Sequence, residues 1–340
     1  MISHRLSAVS SGLPYGVNDL EPRPKLLSRT PKRVRCYVRG CRHELLVPGG
    51  GQRGEVCPDH GIRCHHSGYG ATYSYTDTKR NIIAAPHTFA RNIIGHPFKF
   101  ESHRLGSENS EDAVSWNVFR SLYEARSLSR LAAMVTGEES TIEPFLYLWG
   151  ICITADEFEP WNLLIEARKR FEGKLPVERP LTEPDIALHL PGKYLILIEA
   201  KFTSFNTFYA RGPRKDKSSL TLDELLAIYS DPALKLLNQR QAAKAHRVPY
   251  QLWRNTVFAE WMAAFDHPRT RAYHVNLTRE SQDADSAAEF ATLIQDEHQD
   301  RFQRLTWEGI HRMFRQEPQL NLMRRYLETK TAGLKKAFGL

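Results

Sequence analysis

The sequence has no long apolar run. No stretch among its 340 residues approaches the 18 consecutive apolar residues that a bilayer-crossing helix needs, so no membrane partner is expected. The first twenty residues, MISHRLSAVSSGLPYGVNDL, lack the continuous apolar core of a signal peptide, which places the protein in the cytoplasm as an expectation. No internal repeat is visible, which excludes a solenoid. Cysteine is sparse and odd in number: four of the five lie within residues 36–64, and Cys152 stands apart. An odd, clustered set without a secretory leader argues against a disulfide framework and for a metal.

What the chain does have is an apolar content of 41%, ample for a core, and a length that fits one large domain or two smaller ones. The net charge of +8 is uneven. Residues 1–40 hold eight Lys/Arg against Asp19 and Glu21, a local charge of +6. Residues 1–30, with Pro14, Pro22 and Pro24, read as a basic irregular arm. Such an arm is either a solvated tail or a polyanion contact, with nucleic acid the leading partner.

Residues 31–100 read as a small metal ribbon and a connector. Cys36-x4-Cys41 and Cys57-x2-His60 are two paired-ligand knuckles around the Gly-rich turn GGGQRG. Thiolates and an imidazole suit tetrahedral Zn²⁺, and four protein ligands make a closed structural site. Cys64 can replace His60 as the fourth ligand, and His43, His65 and His66 are further candidates. The alternative is a set of reduced, unligated cysteines. A segment this small builds little core, which favours a metal staple. Cys152, in FLYLWGICI, reads as a buried core residue.

Residues 101–340 form the larger unit. Residues 110–137 read as one long amphipathic helix, with Ser110 as N-cap, Glu111 and Asp112 in the first turn and Gly137 at the end. FLYLWGICI reads as a strand, WNLLIEARKRFEG as a helix closed by Gly173, and TLDELLAIY as a helix. VPYQLWRNTVFAEWMAAF reads as an amphipathic helix with Pro249 near its first turn, and RAYHVNLT as a strand. EFATLIQDEHQDRF, TWEGIHRMF and LNLMRRYLETKTAGLKKAF read as terminal helices. The order implies an α/β fold with a central mixed sheet flanked by helices.

PDIALHLPGKYLILIEAKF, residues 184–202, reads as a β-hairpin with Asp185 near one end and Glu199 and Lys201 near the other. A three-residue turn, Pro191–Lys193, pairs Leu190 with Tyr194 and therefore Asp185 with Glu199 on one face. A two-residue turn moves Asp185 opposite Ile198 and destroys the pairing. Adjacent carboxylates repel unless a cation lies between them, and hard oxygen ligands suit Mg²⁺. Lysine beside them completes a hydrolytic set. The bland reading is a surface salt bridge.

Pro184-Asp185 and Glu199-Ala200-Lys201 across a hairpin, after an acidic helix, resemble the PD-(D/E)XK, or restriction-endonuclease-like, nuclease superfamily over about residues 101–280. The resemblance implies an αβββαβ core, Asp185 and Glu199 as Mg²⁺ ligands and Lys201 as the catalytic lysine. It adds a helix glutamate as a further metal contact, matched by Glu111, with Glu108 as second choice. The plain reading of Glu111 is a helix-dipole partner. Some exonuclease-like members carry Gln-x-x-x-Tyr on the helix after the lysine strand. Here the stretch is Gln251-Leu252-Trp253-Arg254-Asn255, with Asn in the Tyr position. Gln251 and Arg254 are then either phosphate or base contacts, or the polar face of a helix packed through Leu252, Val257 and Trp261. Arg211, Arg214, Lys215 and Lys217 follow the catalytic strand as a backbone-gripping loop or as a solvated one.

The sequence therefore reads as a Mg²⁺-dependent nuclease with an N-terminal zinc ribbon, DNA its preferred substrate, and a role in prokaryotic restriction or phage defence by fold-level analogy. A nucleic-acid-binding protein that no longer cuts and an RNA nuclease are the alternatives. A homodimer is compatible with this reading.

Overall fold

The computed structural model describes residues 32–48, 54–67, 70–93, 105–153, 158–175, 181–212, 220–328 and 330. The basic arm and the tip of the GGGQRG turn lie outside the described residues, as do Arg214, Lys215 and Lys217. The chain divides into two compact units, residues 1–121 with 308–340, and residues 122–307. Elements are numbered in chain order.

The first unit begins with two antiparallel ribbons. β1 (Lys32–Arg35) pairs with β2 (Glu44–Val47), and β3 (Ile62–Ser67) with β4 (Gly70–Tyr75). The connector supplies α1 (Pro86–Asn92). α2 (Glu111–Glu124) starts in this unit, and Ser110 Oγ accepts the Ala113 N–H at 3.2 Å, the cap its position implies. The core is organised by buried polar side chains as well as aromatics. Trp116 meets Phe89 edge-on at 4.7 Å and donates to the Ala84 carbonyl. The buried Asn117 side chain accepts the Ile83 and Ala84 N–H groups and donates to the Asn81 carbonyl, so it fixes the chain entering α1. Most of α9 (Trp307–Phe314) and all of α10 (Asn321–Leu327) return to this unit. Beyond them Lys330, 2% exposed, donates to Asn81 Oδ1 at 3.0 Å and to the Glu108 carbonyl at 2.7 Å. Burial pushes its amine down to about 8.

The second unit holds a seven-stranded mixed sheet in the order β13-β12-β9-β8-β5-β6-β7. Its strands are β5 (Phe145–Leu148), β6 (Ile151–Ile153), β7 (Phe158–Pro160), β8 (Ile186–Leu190), β9 (Tyr194–Ala200), β12 (Arg271–Thr278) and β13 (Phe302–Thr306). The β9-β12-β13 part is parallel and the remainder antiparallel. A small ribbon, β10 (Phe208–Ala210) with β11 (Arg247–Pro249), lies outside the sheet. The helices are α3 (Leu128–Thr136), α4 (Asn162–Glu172), α5 (Leu222–Ile228), α6 (Gln239–Lys244), α7 (Tyr250–Asp266) and α8 (Ala284–Ala291). The α/β fold and helix-flanked mixed sheet read from the sequence are present.

α7 packs into one core with α4 and with Leu195, Leu197, Ala187 and Ala272 of the sheet. It is not the amphipathic helix that its polar residues imply. Leu252, Trp253 and the continuous run Asn255–Ala259 are all buried, because neighbours close over more than one face.

Three other elements depart from the sequence reading. The long helix 110–137 is two helices, broken at Arg126, which takes φ 54. The Glu143 carboxylate explains the break: it accepts the Leu128 N–H at 2.9 Å and the Ser129 N–H, capping a new helix start. FLYLWGICI is two strands, because Trp149 and Gly150 both take positive φ and reverse the chain. Cys152 is consequently half-buried on β6 rather than sealed in the core. EFATLIQDEHQDRF ends its α-helix at Ala291, and residues 302–306 become the edge strand β13. No described helix is long and apolar enough to cross a membrane.

Candidate active site and metal centre

The β8–β9 hairpin turns through Pro191-Gly192-Lys193, with the Lys193 N–H on the Leu190 carbonyl at 3.0 Å. Proline suits the second turn position, and Gly192 supplies the positive φ of 73° at the third. Leu190 pairs with Tyr194 and Ile186 with Ile198. This is the register of a three-residue turn; the paired residues end at Ile186, and Asp185 just before them reaches the end of β9 through its carboxylate, which accepts the Ala200 N–H.

Alternation on β9 puts Leu195, Leu197, Glu199 and Lys201 on the α7 side. That face is apolar along the strand and turns ionic at its end. The Glu199 carboxylate is 2% exposed. Lys201 Nζ lies 2.6 Å from Oε1, Gln251 Nε2 donates to Oε1 at 2.7 Å, and Asn255 Nδ2 donates to Oε2 at 2.7 Å. Burial pushes the Glu199 carboxyl up, but Lys201, with Arg254 and His274 behind it, outweighs burial and holds it below the ordinary carboxylate range. The pair is a buried ion pair and not the surface salt bridge of the bland reading. Asp185 is half-buried, and its carboxylate accepts the Ala200 N–H at 2.8 Å.

The main chain around these groups is pinned on both sides. The Lys201 N–H bonds the Leu277 carbonyl at 2.7 Å, and the Lys201 carbonyl accepts Trp307 Nε1 at 3.1 Å. The approach to Asp185 is held by a second buried carboxylate. Glu172 accepts the Thr182 N–H and the Tyr229 hydroxyl, while Arg168 Nε donates to the Thr182 carbonyl.

β12 adds residues that sequence reasoning missed. Asn276 sits beside Glu199 in the parallel register and accepts Asn206 Nδ2 at 3.2 Å. His274, two residues earlier and fully buried, meets Thr256 Oγ1 at 2.7 Å. The Thr256 hydroxyl already donates to the Leu252 carbonyl, so His274 Nδ1 carries the proton and donates. Burial pushes the His274 imidazole down to about 4. Asn255 is the other omission. The sequence marked it only as the residue in the Tyr position of the Gln-x-x-x-Tyr signature, one helical turn after Gln251.

Of the residues read as nucleic-acid contacts, Gln251 is directed at Glu199. Arg254 is half-buried with its guanidinium 5.2 Å from the Tyr250 ring centre. Arg211 donates to the Ala245 and Ala243 carbonyls and to Asp223. Glu111 opens α2 in the first unit, and the buried Glu108 lies three residues before it in the same unit.

The first unit brings Cys36, Cys41, Cys57 and His60 together, with all four ligand atoms within 4.8 Å of one another. Cys41 and Cys57 sulfurs are 3.8 Å apart, Cys36 Sγ is 3.8 Å from His60 Nδ1, and Cys57 Sγ is 3.4 Å from it. A tetrahedral ion with metal–sulfur bonds of about 2.3 Å sets its ligands about 3.8 Å apart, so these four can hold a metal ion. Burial is the main reason that the Cys36 and Cys57 thiols are pushed up, a cost that a metal removes by binding thiolate. Gly40 turns the first knuckle with φ 74° and Gly61 closes the second with φ 60°. Cys64 is buried on β3 opposite Tyr73 and outside the four, and His43 is paired with Asp59 at 2.8 Å.

A family model described as Restriction Endonuclease associating with ARP matches residues 57–330. The chain belongs to this family. The match covers most of both units, including the hairpin, α7 and the second knuckle. Membership in this restriction-endonuclease family gives the chain a nuclease-related role and a nucleic-acid partner. No curated protein and no solved structure matches the chain.

Proposed function

We propose that the protein is a Mg²⁺-dependent nuclease that hydrolyses phosphodiester bonds in DNA, with Asp185, Glu199 and Lys201 as its catalytic set and a structural zinc in the Cys36, Cys41, Cys57, His60 cluster. The observation that supports this reading is the end of the β8–β9 hairpin, where Asp185 bonds the Ala200 N–H between Glu199 and Lys201, and Lys201 Nζ lies 2.6 Å from Glu199. The donor set fits a hard cation: two carboxylates at one strand end, one of them buried and held ionised. Bound there, a divalent cation polarises a phosphoryl oxygen and lowers the pKa of a water.

The chain's own groups do the rest. Asp185 and Glu199 are the residues that would hold the ion. Glu199 holds the Lys201 side chain 2.6 Å from its Oε1, and the ammonium offers donors to the attacking oxygen or the developing phosphorane charge. Apolar neighbours exclude water and strengthen both effects. A role in restriction or phage defence is consistent with the family, and its description extends to this chain the expectation of a protein partner, ARP.

Incubating purified protein with plasmid, linear duplex, single-stranded DNA and RNA, with and without Mg²⁺, tests the reading. Metal-dependent cleavage of DNA is the expected result. Cleavage of RNA alone moves the substrate class. Binding without cleavage of any substrate rejects catalysis in favour of a nucleic-acid-binding role.

A further inference from the structure

Asn255 is fully buried in the second turn of α7, a helix whose Leu252 and Ala259 belong to one core with Leu195 and Leu197 of the sheet. Its amide group donates to Glu199 Oε2 at 2.7 Å, while its own Oδ1 is buried without a hydrogen-bond partner. An unsatisfied buried carbonyl is a net cost to folding. Were no carboxylate facing it, a leucine of similar size would fill the same space without that cost. Packing is therefore not what the amide serves.

What it serves is the carboxylate. Lys201 and Gln251 both donate to Oε1, and Asn255 is the donor to Oε2 among the described residues. With donors on Oε1 alone, the carboxylate plane turns about its terminal torsion, a soft and broad one. The third donor, fixed on a rigid helix, removes that freedom. Gln251 is half-buried and cannot be held as firmly as a residue sealed in the core.

We propose that Asn255 is a positioning residue for Glu199: it fixes the plane of the carboxylate so that a divalent cation meets one preset arrangement of oxygens. This rests on the reading of Glu199 as a metal ligand. Partners of metal ligands commonly cost about 10–100-fold in metal affinity when removed.

The test uses the full-length, zinc-loaded chain and Mn²⁺ as the probe, titrated calorimetrically. Four proteins are compared: wild type, Asn255→Leu, the paired replacement Glu199→Leu/Lys201→Met, and that pair combined with Asn255→Leu. The paired replacement removes the buried ions together and leaves no lone charge. Asn255→Leu is expected to weaken Mn²⁺ binding about tenfold or more and to lower the melting temperature of the wild type. In the ion-free background the same substitution is expected to raise the melting temperature, because the amide there has lost its partner. Asn255→Ser, which shortens the reach of the side chain, provides the same binding readout if Asn255→Leu fails to fold alone. Unchanged Mn²⁺ affinity in both single variants, or a melting shift of the same sign in both backgrounds, overturns the proposal. If the wild type binds no Mn²⁺ beyond the paired replacement, Glu199 is not a metal ligand, the metal-presetting role falls with it, and the sign of the two melting shifts decides whether Asn255 holds the carboxylate.

Discussion

Asp185 accepts the main-chain N–H of Ala200 at 2.8 Å, the one residue between Glu199 and Lys201. A single hydrogen bond thus ties the start of β8 to the end of β9 and keeps both carboxylates at the same strand end. Substitutions at the three positions should separate catalysis from folding. Lys201→Ala and Asp185→Asn are expected to lower cleavage by about 10²–10⁴-fold, the range for a positioned acid–base or charge-stabilising group. Glu199→Gln should do the same; it preserves the shape of the side chain but leaves the buried Lys201 without its ionic partner, so the melting temperature should also fall. Single-turnover cleavage and circular dichroism together check this; full activity in Lys201→Ala removes the lysine from the mechanism.

Acid should destabilise the second unit through His274. Its imidazole has a folded value of about 4 against an ordinary 6.5, because burial disfavours the charged form. The unfolded chain therefore takes up the proton first as pH falls. Stability contributed by the neutral imidazole is full above about 6.5 and is lost progressively as pH drops toward 4. At about 1.4 kcal/mol per tenfold, the loss is on the order of 3 kcal/mol. Thermal unfolding between pH 7 and 4 should show this slope, and His274→Phe should flatten it; an equal slope in the variant assigns the acid sensitivity elsewhere.

The cysteine cluster predicts about one tightly bound zinc per chain. Cys57→Ser should lose it and unfold the ribbon, since a structural metal contributes folding energy directly. Cys64→Ser should retain it, because Cys64 lies outside the four converging ligands. Elemental analysis of freshly purified protein decides both points, and retention of zinc in Cys57→Ser contradicts the ligand set.

The basic arm predicts a salt effect. Deleting residues 1–30 removes Arg5, Arg23, Lys25 and Arg29. If all four contact duplex phosphates, the slope of log affinity against log salt becomes shallower by about three to four, at roughly 0.9 per contact. Cleavage at low salt should survive. An unchanged slope makes the arm a solvated tail.

Much of this protein follows from local pattern alone. The Pro191-Gly192 pair marks a turn between two apolar runs and puts Asp185, Glu199 and Lys201 at one end of a hairpin; the choice between a two- and a three-residue turn came with the structure, which pairs Leu190 with Tyr194. The knuckle spacings likewise name Cys36, Cys41 and Cys57, because short loops bring sequence neighbours together, but they left His60 and Cys64 open for the fourth place, where the structure sets His60. Other features came only with the tertiary structure. The break at Arg126 depends on Glu143, which reaches back to a helix start from the following segment. The polar residues of α7 look like a solvent face in the sequence, but the burial of Asn255 and Thr256 depends on neighbours closing over them. His274 and Asn276 read as part of an ordinary strand until the parallel pairing of β12 with β9 puts Asn276 beside Glu199. Periodicity records which residues share a face of one element, and hairpin geometry extends that to two. A parallel crossover joins segments more than 70 residues apart, and no local signal encodes which of their polar groups will meet.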